Sequence, residues 1–141
     1  MARHVVCWIF LGMAMQALLV SAGRPDFITD DMMAMVADDK ARCMGAHGTT
    51  EALIDQVNNG ALPNDRALTC YMDCLFSAFG VIDEGELEVD MLVGFLPDHM
   101  QDAARDLLET CGKEPGADPC DKVFNIAKCV QSKRPDLWFM I

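Results

Sequence analysis

Positive charge is in short supply in this sequence. Its 141 residues hold 11 Lys and Arg against 22 Asp and Glu, a formal net charge of −11. Such a surface repels polyanions, which argues against nucleic acid and anionic membranes as partners. Histidine is scarcer still, with three copies. His47 and His99, the two beyond the N-terminal stretch, belong to no motif that joins a base to a nucleophile and a carboxylate orienter, so catalysis finds no support. Neither stands at ligand spacing to Cys70 or Cys74, and a secreted setting favours their oxidation, so no metal site is expected, and no cofactor either. Two-residue alternation is missing throughout, and every segment reads as helix, which points to an all-α protein. Internal repeats and low-complexity linkers are absent too. The length leaves room for one domain.

Long apolar runs are limited to one. It spans Val5 to Val20 behind Arg3 and His4, and Val20-Ser21-Ala22 presents small residues of the kind signal peptidase reads. With polar Gln16 inside it, the run is short for a membrane span. Residues 1–22 are therefore expected to be a cleaved signal peptide, residues 23–141 the secreted domain, and the protein extracellular with no membrane span. Losing Arg3 would leave ten basic against 22 acidic residues.

The secreted part divides into six helices. Thr29, Asp30 and Asp31 suit the start of the first, which carries Met32, Met35 and Val36 on one face and is expected to close at Gly45 and Gly48. A short second helix runs from Thr50 to Val57 and stops at Asn58-Asn59-Gly60. The third spans Asp65 to Phe79, with Leu68, Met72, Leu75, Phe76 and Phe79 as its stripe and Gly80 as its stop. A polar loop from Asp83 to Glu88 leads to a fourth helix that ends at Leu96-Pro97. Asp98 and Gln101 read as a capping box for the fifth, which carries Ala104, Leu107, Leu108 and Cys111 in helical register. Asp118 and Pro119 open the sixth, which bears Val123, Ile126, Ala127 and Val130 and closes at Pro135.

Beyond residue 22 the chain has six cysteines: Cys43, Cys70, Cys74, Cys111, Cys120 and Cys129. An even number in a short secreted chain reads as a disulfide framework. Cys70 and Cys74 lie one helical turn apart, with Cβ atoms about 5–6 Å apart where a disulfide needs about 3.8 Å. Cys120 and Cys129 face opposite sides of one helix. Neither pair can bond internally. Ten of the 15 possible pairings survive those two exclusions, and spacing alone goes no further.

The spacing also carries a resemblance. Three residues between the second and third cysteines, and eight between the fifth and sixth, match the six-cysteine signature of the insect odorant-binding proteins. Asp39-Lys40-Ala41-Arg42-Cys43, His47-Gly48-Thr49-Thr50, Cys70-Tyr71-Met72, Leu96-Pro97-Asp98, Ala127-Lys128-Cys129-Val130 and the ending Trp138-Phe139-Met140-Ile141 resemble the pheromone-binding proteins of hymenopteran antennae more narrowly. The resemblance implies a compact six-helix domain around an apolar cavity. It also implies three interlocked disulfides, Cys43–Cys74, Cys70–Cys120 and Cys111–Cys129. The expected role is carriage of a small apolar odorant, pheromone or fatty-acid-like ligand in sensillum lymph, with an odorant receptor as the implied protein partner. A non-olfactory carrier of hormones or fatty acids is the alternative.

The candidate lining residues are Met35 on the first helix, then Tyr71, Met72, Leu75, Phe76 and Phe79 on the third. The fourth adds Val89, Leu92 and Leu96, and the fifth adds Ala104, Leu107 and Leu108. Phe124, Ala127 and Val130 come from the sixth. Periodicity does not separate a filled core from a lined cavity, but the ending is more telling. Chain ends are normally polar, whereas Trp138, Phe139, Met140 and Ile141 would each forfeit about 1.5–3 kcal/mol if left in water. The tail from Leu137 is therefore expected to fold back over the cavity. By resemblance, its carboxylate would bond to Tyr71, forming an acid-sensitive latch; His47 and His99 are the rival pH-sensitive groups.

Overall fold

The computed structural model describes residues 24–141, so the expected signal peptide lies outside the described residues. Thr29 accepts a hydrogen bond from the Met32 amide and starts α1, Asp30–His47. Gly48, left-handed at φ 71°, ends it, while Gly45 is absorbed within the helix rather than closing it. Thr50 caps α2, Glu51–Asn58, and Asp65 caps α3, Arg66–Ala78. α4, Val89–Gly94, is short and has no side-chain cap. α5 covers Asp98–Cys111. Asp118 caps α6, Pro119–Lys133, and a 3₁₀ turn, Pro135–Leu137, leads into the tail.

Two further local expectations are corrected. The fifth helix has no reciprocal capping box: Asp98 is already helical behind Pro97, and the Gln101 amide donates to the Leu96 carbonyl at 3.0 Å. The loop after α3 is not purely irregular. Ile82–Asp83 (β1) pairs antiparallel with Glu86–Leu87 (β2), in register Ile82 to Leu87. Glu84 and Gly85 both adopt positive φ, 47° and 82°, which is the turn geometry that closes a two-residue hairpin.

Three disulfides join Cys43 to Cys74, Cys70 to Cys120 and Cys111 to Cys129, with Cα separations of 5.7, 4.6 and 5.5 Å. They run in series, tying α1 to α3, α3 to α6 and α6 to α5. The main core forms where α3 crosses α6. Leu68, Tyr71, Met72 and Leu75 pack there with Val123 and Ala127, and Ile54 and Val57 of α2 close one end. A second cluster joins Leu107 and Cys111 of α5 to Ile126 and Val130 of α6. Over the described residues the fold is all-α, built on six α-helices, and its two clusters flank an unfilled interior. Among the described residues no helix is long and apolar enough to cross a membrane.

Candidate ligand cavity

A cavity of about 410 Å³ opens between the two clusters. α1 supplies Met32, Met35, Val36 and Asp39, spaced three, four and seven residues from the first and hence on one face. This explains why a helix of 18 residues buries only Cys43 fully: its apolar stripe faces space, not side chains. Leu75 and Phe76 of α3, with Phe79 at its C-cap, form the opposite wall. Leu92 of α4, followed by Phe95 and Leu96, guards the side where Met35 and Phe95 are 73% and 51% exposed. Ala104, Leu107 and Leu108 of α5 and Ile126 and Val130 of α6 complete the barrel of helices.

The tail closes it. Leu137, Trp138, Phe139, Met140 and Ile141 all line the cavity. Two polar devices hold them in place. The Asn58 amide donates to the Met140 carbonyl at 2.7 Å and accepts from the Met140 N–H at 2.8 Å. The Tyr71 hydroxyl donates to the main-chain oxygen of Ile141 at 2.5 Å. Burial, reinforced by the negative charge of Glu51, pushes the Tyr71 phenol well up, so it remains a donor across the ordinary pH range.

Five sequence-expected lining residues lie elsewhere. Tyr71 and Met72 are buried in the core, because the α3 stripe extends a turn beyond the cavity and its near end packs on α2 and α6. Ala127 fills the α3–α6 crossing. Phe124 is two residues from Ile126, about 200° around α6, and so misses the wall. Val89, the first residue of α4, stops a turn short of it.

Conversely, Phe27, Ile28, Val81 and Leu87 line the cavity from outside regular helix, where periodicity has no purchase. An apolar pair directly before the Thr29 cap was the available signal for the first two. Among the described residues, Asp39 is the one ionisable side chain on the wall, and it is engaged by Arg42 at 2.7 Å. The arrangement can enclose an apolar molecule. Among the described residues no cluster of His, Cys, Asp and Glu is built to hold a metal.

Comparison with known proteins places this geometry. A sequence profile described as the PBP/GOBP family matches residues 26–133. General odorant-binding protein 69a of Drosophila melanogaster is 28% identical over 130 residues, covering 91% of this chain and 86% of that protein. Odorant binding protein 5 of Apis mellifera superposes with a TM-score of 0.69 at 22% identity, covering 79% of this chain and 96% of the other. Odorant Binding Protein 7 of Anopheles gambiae, solved in complex with an azo compound, gives a TM-score of 0.69 at 25% identity, covering 78% of this chain and 91% of the other.

Proposed function

The chain belongs to the PBP/GOBP family, the insect odorant-binding proteins, and from that premise we propose that it is a secreted carrier of small hydrophobic semiochemicals. The observation that carries this reading is the cavity of about 410 Å³, walled by apolar side chains and roofed by the chain's own tail. Its volume lies in the range that encloses small-molecule ligands. The azo compound bound by the Anopheles gambiae relative supports an apolar or aromatic ligand class. Sensillum lymph is the proposed site of action, and delivery to an odorant receptor the proposed outcome. Release on acidification is proposed to work through the tail, where Tyr71 holds Ile141.

The test is displacement of a fluorescent apolar probe by medium-chain alcohols, esters, ketones and fatty acids, followed by calorimetry. Micromolar or tighter binding with a negative heat-capacity change is expected, since that change marks apolar burial. Failure of the whole panel, with sugars or nucleotides binding instead, would refute the carrier reading.

A further inference from the structure

Three methionines among the described residues line the main cavity: Met32, Met35 and Met140. They differ in what reaches them from outside. Met140 is 1% exposed, and Asn58 holds both of its backbone groups. Met32 is half-buried in the first turn of α1. Met35 lies three residues further along the same face, on the open side of the cavity, and is 73% exposed. Met91 is exposed too, at 44%, but does not line the cavity: its sulfur lies over Gly80, 3.5 Å from where a Cβ at that glycine would stand. Access from solvent and a place on the ligand wall thus coincide most fully at Met35.

We propose that Met35 is an oxidation site through which peroxide unloads the cavity. The inference rests on the carrier reading and adds a means of release separate from the tail. The thioether sulfur attacks one oxygen of hydrogen peroxide; an S–O bond forms and the O–O bond breaks. The departing oxygen takes the proton of the transferred one and leaves as water. Sulfur gives up two electrons, and the peroxide gains them. A flexible apolar side chain becomes a polar, chiral sulfoxide. In the empty protein that new oxygen stays in water. Beneath an apolar ligand it would lose its water and find no donor on its own helix, where the other lining side chains are Met32, Val36 and the carboxylate of Asp39. The penalty therefore falls on the complex and not on the empty fold.

The test treats solvent-stripped protein with limiting hydrogen peroxide, locates the added oxygen by peptide mass spectrometry and titrates the apolar fluorescent probe N-phenyl-1-naphthylamine. Wild type oxidised at Met35 should bind the probe roughly three- to tenfold more weakly than reduced protein, the effect of losing part of one apolar contact. Its urea midpoint without probe should not change, and methionine sulfoxide reductase should restore the affinity. Met35→Leu keeps size and apolarity, so it should bind as wild type does and lose nothing to peroxide. Met91→Leu should lose affinity as wild type does. Full affinity in protein oxidised at Met35, or an equal loss in Met35→Leu, would overturn the proposal. So would a Met35 that stays reduced while Met91 takes up oxygen, or a loss that follows oxidation of Met32 or Met140 instead. If reduced wild type fails to bind the probe, the carrier reading itself falls. Binding that survives oxidation of Met35 defeats the oxidation site alone.

Discussion

Asn58 and Met140, 82 residues apart in sequence, exchange two hydrogen bonds of 2.7 and 2.8 Å. One side-chain amide thus satisfies both backbone groups of a residue that is 1% exposed. It does for the tail what a neighbouring strand does in a sheet. Asn58→Ala should therefore leave Met140 with buried, unpaired N–H and C=O groups and cost about 1–3 kcal/mol in urea unfolding. Asn58→Asp retains the acceptor but turns a carboxylate toward the Met140 carbonyl, and should be worse at neutral than at acid pH. Wild-type stability in Asn58→Ala would show that the strap is incidental.

The tail should also govern how binding depends on pH. A chain truncated after Leu137, and Tyr71→Phe, are both expected to flatten the affinity–pH curve and to speed ligand release at neutral pH. An unchanged curve in both would transfer the switch to His47 or His99. Tyr71 carries a separate alkaline signature. Its folded-state phenol lies above the unfolded one, so its contribution is intact below the unfolded value of about 10 and is lost as pH rises beyond it. Stability should decline there in wild type, and Tyr71→Phe should lack that component.

Asp118 and Asp73 should answer acid in opposite senses. The hydrogen bond to Arg66, supported by the Asp121 amide, holds the Asp118 carboxyl below the usual range. Its contribution is present above the unfolded value and lost as pH falls through the folded one. Burial pushes the Asp73 carboxyl up, with Asp118 adding to the rise and His47 opposing it. That ionisation weighs on the fold at neutral pH, and acid relieves it. Asn preserves the helix cap at position 118, so Asp118→Asn isolates the charge. Guanidinium unfolding at pH 7 and pH 3 should find Asp118→Asn weakened and Asp73→Asn strengthened at pH 7, both differences shrinking at pH 3.

Gly116 sits where the loop between α5 and α6 presses on the start of α6. A Cβ there would fall 2.1 Å from the Lys122 backbone nitrogen and 2.4 Å from its Cα. Backbone atoms in a helix have no room to yield, and the Asn125 amide pins the loop through the Pro115 carbonyl at 2.7 Å. Gly116→Ala should cost about 1–3 kcal/mol by calorimetric melting. A change of only a few tenths would mean that the loop shifts freely.

Much of this architecture was legible because single residues announce it. Thr29, Thr50, Asp65 and Asp118 each accept a hydrogen bond from the first turn of the helix they start. The β1–β2 hairpin was not legible: strands of two residues are too short to show alternation, and they depend on Glu84 adopting an uncommon positive φ. The cavity was half legible. Met72 and Phe76 share one stripe and one periodicity, yet Met72 is packed in the core while Phe76 faces empty space. A repeat of 3.6 residues says which side turns inward. It carries no information about whether anything fills the inside.

That unfilled interior makes the ligand a piece of hydrophobic core supplied from outside the gene. Whatever occupies about 410 Å³ between the two clusters joins the folded state and not the unfolded one. Occupancy is then written into the melting temperature: free ligand at 100 times its Kd adds about 2.7 kcal/mol to stability. A preparation made in living cells should accordingly come away with the best-fitting apolar compound that its host contained. Two batches of identical sequence, raised on different lipids, would melt at different temperatures until they were stripped with organic solvent.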